Sequence, residues 1–416
     1  MEIETETELE DIEKEIEYMV EEYLETSLPL YSNKHFKEIM LGELMDFFER
    51  QSKIQGWDFS ILSNGIDLET FITNTMEHAF LYYHIPAREE GFNSNTSHLF
   101  SYSTLENELL LYGEKNAVLQ RTPEWYELRY NCFSASSLWK LLDSTSTYNS
   151  LIFEKCKPFE HQHYKHIVTN EHNPRNWGVK YEPVSVQIYS FKNPNATVKT
   201  DYGCIPHPIY SFIGASPDGI HISGEKRGCM VEIKNIYNRE MDGIPSEEYW
   251  IQMQIQMETC NLEECDFLET RFKEYETEDA FYLDQTPEFK GLILFFLAKS
   301  PEKENRFEYM PLYISLEKIC IEQWIREIQD RFQSEYILYD RSYWYLDEYS
   351  CMNIKRNSPW FESVLPTIES AWKIVEHERE NGYAHRAPNS RKKKEIPIEI
   401  ASTPVIDSTI KVIKLG

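Results

Sequence analysis

Residues 216–234 read Ser-Pro-Asp-Gly-Ile-His-Ile-Ser-Gly-Glu-Lys-Arg-Gly-Cys-Met-Val-Glu-Ile-Lys. The runs Tyr210–Ile222 and Cys229–Ile236 are strand candidates. They are separated by the turn-like Ser223-Gly224-Glu225-Lys226-Arg227-Gly228, and apolar runs around a Gly-containing turn read as paired strands. If the two runs pair as a hairpin, Asp218 at its turn and Glu232 on the next strand converge. Side chains alternate along a strand with period two, so Glu232 and Lys234 share a face.

That constellation suits phosphodiester hydrolysis. Hard cations such as Mg²⁺ prefer carboxylate oxygens. A bound cation polarises a phosphate, helps deprotonate water and stabilises the leaving oxygen. A protonated lysine beside two such carboxylates orients the attacking water and offsets transition-state charge. Taken alone, a Glu-x-Lys on a strand is more often a solvated face. The upstream Pro217-Asp218 and two further segments change the balance.

The first is Trp177-Gly178-Val179-Lys180-Tyr181-Glu182-Pro183, with Val186 and Tyr189 on the helical face of Glu182. Proline suits a first helical turn and is costly deeper in. The sequence therefore places Glu182 near a helix start, within reach of a metal or its water. The second is Tyr249-Trp250-Ile251-Gln252-Met253-Gln254-Ile255-Gln256-Met257. Its length and its continuation into Glu258-Thr259 favour a helix, on which Gln252 and Gln256 share a face. A neutral amide there can bond phosphate or metal-bound water without altering charge.

Beyond these motifs, alternating helical and strand-like runs predict an α/β or α+β core with a central mixed sheet flanked by helices. Phe289–Lys299 and Phe307–Ile314 read as strands, and Leu316–Leu338 as a helix. Upstream, Ile12, Ile16, Met19, Val20 and Leu24 recur at helical spacing. Phe36–Phe48 repeats the pattern, Gly65–Tyr83 suits another helix, and Glu89–Ser101 reads as a polar loop. The organisation expected is a helical acidic extension over 1–115, a catalytic core over 116–345, and a C-terminal extension over 346–416. The basic Ser390–Lys394 in that last segment suits nucleic-acid contact or nuclear import, or simply a solvated tail.

Composition bounds the rest. The chain has 416 residues, 41% hydrophobic and 14% aromatic, which excludes wholesale disorder. Its net charge of −28 opposes tight, non-specific duplex binding. Much of the excess lies in Glu2–Glu25, where Lys14 is the only base. The 8 cysteines form no CxxC pair, so reduced thiols in an intracellular protein are expected rather than zinc. No apolar run is long enough to span a bilayer and the acidic N-terminus is no signal peptide, so no membrane partner is expected. A soluble protein of the cytoplasm or the nucleus fits these features.

Together the motifs resemble the PD-(D/E)xK nucleases, and more closely the phage lambda exonuclease and YqaJ-type viral recombinase group. The resemblance runs in order from Arg121-Thr122-Pro123-Glu124-Trp125, through Arg129 and Phe133-Ser134-Ala135-Ser136, to Gly178 and Glu182. It continues through Ser216–Gly219 and Glu232–Lys234 to Tyr249–Gln256. It spans about Arg121–Thr259, roughly a third of the chain, and departs at Asn235-Ile236, where relatives often carry Cys-Pro.

The resemblance implies a restriction-endonuclease-like core and Mg²⁺-dependent (or Mn²⁺-dependent) 5′→3′ degradation of double-stranded DNA in phage or viral recombination. It implies Asp218 and Glu232 as metal ligands, Lys234 as catalytic lysine, Glu182 as an outer metal or water ligand, and Gln252 as a site glutamine. Arg129, Ser136 and Ser216 would touch DNA phosphate. A single-strand annealing protein and further copies of the chain are the partners it suggests. The alternatives are a structure-specific or single-strand endonuclease with the same site, or an idle nuclease-fold adaptor.

Overall fold

The computed structural model describes residues 2–55, 65–88, 118, 122–159 and 174–388. In chain order the helices are α1 (Glu2–Ser27), α2 (Phe36–Gln55), α3 (Leu68–Tyr82), α4 (Pro123–Tyr130), the single turn α5 (Ala135–Leu138), α6 (Thr145–Cys156), α7 (Pro174–Lys192), α8 (Glu247–Cys260), α9 (Glu278–Leu283), α10 (Lys318–Phe332) and α11 (Ser358–Asn381). The strands are β1 (Phe133–Ser134), β2 (Val198–Lys199), β3 (Ile205–Pro206), β4 (Ile213–Ala215), β5 (Gly219–His221), β6 (Met230–Asn235), β7 (Glu264–Glu274), β8 (Lys290–Ala298), β9 (Arg306–Tyr309) and β10 (Tyr336–Lys355).

The fold is mixed α/β, with helices against a central mixed sheet of order β2-β5-β6-β7-β10-β8-β9. In it only the β6–β7 pair is parallel. A small second sheet has the order β1-β4-β3. The candidate strand Tyr210–Ile222 is thus two strands in two sheets. Pro217 explains the break, since it has no N–H to continue a ladder. The chain changes sheet at Ser216-Pro217-Asp218, and that change of direction sets Asp218 beside β6.

Other sequence expectations shift for similar physical reasons. The helix expected over Leu316–Leu338 ends at Phe332, because Tyr336–Leu338 join β10 and pair with Ala298, Leu297 and Phe296 of β8. The strand expected over Phe307–Ile314 is Arg306–Tyr309, stopping short of Pro311. Glu89–Ser101 and Ser390–Lys394 lie outside the described residues.

The N-terminal helices form by the expected periodicity. Ile12, Ile16, Val20 and Leu24 of α1 face inward with Phe36, Met40, Leu44 and Phe48 of α2, all four apart and buried. They do not make a separate unit. One hydrophobic core runs from Ile12 through Phe133 and Trp250 to Val375. Tyr31 meets Trp250 edge-on at 5.9 Å, and the Trp360 indole N–H donates to the Pro29 carbonyl at 3.2 Å. Arg88 donates to the carbonyls of Ser32 and Pro245, clamping the N-terminal layer to the loop before α8. The boundary drawn at 345/346 falls inside β10, and α11 packs on α6 and α8. The segment 346–388 therefore belongs to the core rather than to an appended extension.

Candidate active site

The β5–β6 hairpin forms as expected, with Gly219 opposite Val231. Asp218, one residue before β5, accepts the backbone N–H of Ile233 on Oδ2 at 2.8 Å. Its carboxylate therefore lies against β6 between Glu232 and Lys234. Those two side chains share a face, and Lys234 Nζ donates to Glu232 Oε1 at 2.5 Å. Helix α8 covers that face. Gln252 Nε2 donates to Glu232 Oε1 at 2.7 Å and Gln256 Nε2 donates to Glu232 Oε2 at 2.8 Å. Glu232 is only 1% exposed, so these donors replace water around both of its oxygens.

Charge at the site is balanced unevenly. Burial, then Glu232 and Glu182, push the Asp218 carboxyl well above its ordinary value of 3.8, against Lys234 and the Ile233 N–H. Burial alone would lower the Lys234 ammonium, but Glu232 and Asp218 overcome it and hold it above the usual lysine range. Lys234 stays charged, while Asp218 has too little positive charge near it.

Asp218, Glu232 and Lys234 line a cavity of about 510 Å³ that also takes in Glu182, Gln252, Arg129, Ser136 and Ser216. Every site residue expected from sequence thus reaches one cavity. In this acidic chain the cavity lining carries Arg129, Lys234 and Arg239 beside Glu182, Asp218 and Glu232. Arg129 lies over the Trp125 ring at 4.6 Å and donates to Ser134 Oγ at 3.1 Å, and Ser134 and Ser136 hydroxyls are 3.3 Å apart. Arg121, which opens that motif, lies outside the described residues.

Glu182 sits differently from its expected place. Helix α7 begins at Pro174, and Pro183 is inside it. The N-terminal proline signature belongs to Pro174. Pro183 offers no N–H to the Val179 carbonyl, and Val179 lines the cavity. Glu182 is therefore mid-helix and exposed, on the cavity side.

Three contributors escaped the sequence reading. Tyr249 carries Lys234 Nζ 4.7 Å from its ring centroid and the Arg239 guanidinium at 5.5 Å. Arg239, in the loop after β6, also pairs with buried Glu269. Asn235 accepts from Ser185 at 2.6 Å and Thr270 at 2.8 Å and donates to the Gly178 carbonyl at 3.1 Å, fixing α7 against β6. The spacing of Tyr249 from Gln252, one helical turn, was a usable signal. Arg239 and Asn235 act through tertiary contacts that no local pattern marks.

Residues 124–263 match the family described as the YqaJ-like viral recombinase domain. That stretch is about a third of the chain, and over it the chain is similar to the YqaJ-like viral recombinase family. All the cavity-lining residues, from Trp125 to Gln256, fall within the matched residues. An uncharacterized protein of Acanthamoeba polyphaga mimivirus is 30% identical over 62% of this chain and 52% of that protein. The chain thus spans about half the length of that curated relative. Among solved structures, an alkaline exonuclease from Laribacter hongkongensis is 19% identical, with a TM-score of 0.36 over 62% of this chain and 95% of that one. A phage-related exonuclease from Haemophilus somnus is 13% identical, with a TM-score of 0.34 over 60% and 96%. Among the described residues no helix is long and apolar enough to cross a membrane.

Proposed function

We propose that the chain is a Mg²⁺-dependent nuclease that degrades duplex DNA from its 5′ ends in viral or phage-type recombination. The observation that carries this reading is the convergence of Asp218, Glu232 and Lys234 on a cavity that Arg129 and Ser136 also enter.

The residues fit a hard cation. Mg²⁺ typically takes one or two carboxylates and keeps several waters. Asp218 and Glu232 supply such a pair, with Glu182 placed to act through water. Among the described residues no cluster of three or more His, Cys, Asp or Glu stands closely enough to hold a metal ion by itself. Asp218 is buried beside Glu232 and Glu182, an arrangement that raises its carboxyl and that a cation would relieve. When bound, the cation would polarise the scissile phosphate and lower the pKa of a bound water; Mn²⁺ can substitute.

The chain's own groups do the rest. Lys234, held protonated, orients the attacking water and offsets charge that develops on the phosphate oxygens. Gln252 holds Glu232 on the oxygen it shares with Lys234. Arg129, kept in place by Trp125 and Ser134, presents its donors to a terminal phosphate, with Ser136 adding a hydroxyl. The strand left exposed would be the substrate of a single-strand annealing partner.

Incubation with linear and circular duplex DNA, with Mg²⁺ or chelator, tests this reading. Mg²⁺-dependent loss of linear DNA alone is expected, with 5′-phosphorylated ends preferred over 5′-hydroxyl ends. Arg129→Ala should erase that end preference more than it slows the overall rate. Circular duplex cut as fast as linear would favour an endonuclease instead.

A further inference from the structure

We propose that Gln256 is a positioning residue that ties the Ser-Pro-Asp-Gly turn to Glu232, and so sets the spacing of the two carboxylates that face the cation. Its consequence for a cation rests on the nuclease reading above; the bridge itself does not.

Gln256 is 1% exposed. Its Nε2 donates to Glu232 Oε2 at 2.8 Å and to the Ser216 carbonyl at 3.3 Å. One amide thus spans β6 and the turn that carries Asp218. Both neighbours are acceptors, which fixes the amide with nitrogen toward them and Oε1 away. Glu232 Oε1 is already taken by Lys234 and Gln252, so Gln256 is the side chain that orients the other oxygen.

The adjacent amide shows what a purely structural glutamine looks like here. Gln254, fully buried, uses both ends, donating to the Lys355 carbonyl at 2.9 Å and accepting the Asn357 N–H at 2.7 Å. Gln256 Oε1 instead has no hydrogen-bond partner among the described residues, and Gln256 lines the cavity. A buried acceptor left open is costly unless something fills it. Among the described residues nothing does, so the polar contacts that hold this side chain are the two made by its Nε2. A neutral amide suits the role, because a lysine would compete for Glu232 and a carboxylate would add a third like charge.

The test compares wild type with Gln256→Met, which keeps length and removes both polar ends. Mn²⁺ binding to the DNA-free protein, measured by calorimetry, should weaken about tenfold, in line with mutation of groups that orient metal ligands. The kcat for linear duplex should fall by about the same factor with KM for DNA within twofold. Unfolding of the metal-free protein should show Gln256→Met and Glu232→Gln to be non-additive, since both remove the same bond. Gln254→Met should lower thermal stability without moving the Mn²⁺ constant. Additive stabilities, or an unchanged Mn²⁺ constant in Gln256→Met, would overturn the proposal. If wild type binds no Mn²⁺ while the stability coupling persists, the bridge stands, and both the nuclease reading and the cation role of Gln256 fall. Gln256→Asn, one methylene too short to reach both partners, serves the same comparison if Gln256→Met does not fold.

Discussion

Asp218 and Asp266 are acidic groups on either side of β6, and their surroundings are opposite. Asp266, on β7 opposite Val231, is 1% exposed. It accepts from Tyr189 Oη at 2.5 Å, Lys226 Nζ at 2.5 Å and Asn353 Nδ2 at 2.9 Å. Burial alone would raise it, yet Lys226, Asn353 and Tyr189 hold it below the ordinary carboxylate value. Asp218 accepts the Ile233 N–H, but burial and then Glu232 and Glu182 hold it well above that value. One carboxylate is completed by the protein. The other is left short of positive charge, on a cavity. The first pattern is what a stable interior needs, and the second is what a cation site needs before it is filled.

The largest effects should come from reversing that difference at Asp218. Asp218→Asn keeps the shape and the Ile233 bond but removes the anion. Cleavage should fall by on the order of 10³ or more, as for loss of a principal electrostatic group. The metal-free variant should melt slightly higher than wild type above the ordinary carboxylate pKa, by about 1–2 °C, because the amide removes the cost of burying an ionisable carboxyl beside Glu232 and Glu182. A melting point several degrees lower would show that Asp218 supports the fold as Asp266 does. Lys234→Ala should cost about 10² in rate, with DNA affinity in Ca²⁺ changed far less. A Lys234→Ala protein that cleaves normally at saturating DNA would reduce the lysine to a phosphate contact.

Asp266→Asn should do the reverse, leaving cleavage near wild type and destabilising the fold. A loss of about 2 kcal/mol is expected, below the ~3–5 kcal/mol of a fully buried pair because Lys226 is 41% exposed. Denaturant unfolding measures it, and a stable but inactive variant would contradict the structural role. The two groups also differ in pH dependence. The contribution of Asp266 is fully present above the ordinary carboxylate value and is lost as pH falls through its depressed folded value. Asp218 behaves oppositely, holding its proton in the folded, metal-free state as pH rises past 3.8. Because a ligand must be deprotonated, Mn²⁺ affinity should drop up to about tenfold per pH unit below the raised Asp218 value. Affinity that is flat across that range would argue against Asp218 as a ligand.

The β5–β6 hairpin is legible in the sequence because its signals are local. Pro217, the Gly-rich turn and the period-two spacing of Glu232 and Lys234 each constrain the chain within a few residues. Strands β7 and β10 are not, since polar residues mark them as surface. Asp266, Glu269 and Thr270 sit buried in β7 only because Lys226, Arg239 and Ser185 come from elsewhere to meet them. Glu182 was placed at a helix start because Pro183 imitates the signature that Pro174 carries. The N-terminal layer looked separable because its helices are amphipathic and acidic. Their apolar faces, however, close over Trp250 and Trp360, which no pattern within residues 1–88 reveals.

Calorimetric titration of Mn²⁺ into wild type, Asp218→Asn and Asp266→Asn at one pH near 8 tests the central claim most directly. The account predicts a binding event of the same affinity in wild type and Asp266→Asn, and its loss or a weakening of at least about 10² in Asp218→Asn. Equal binding by all three proteins, or none by the wild type, would contradict it.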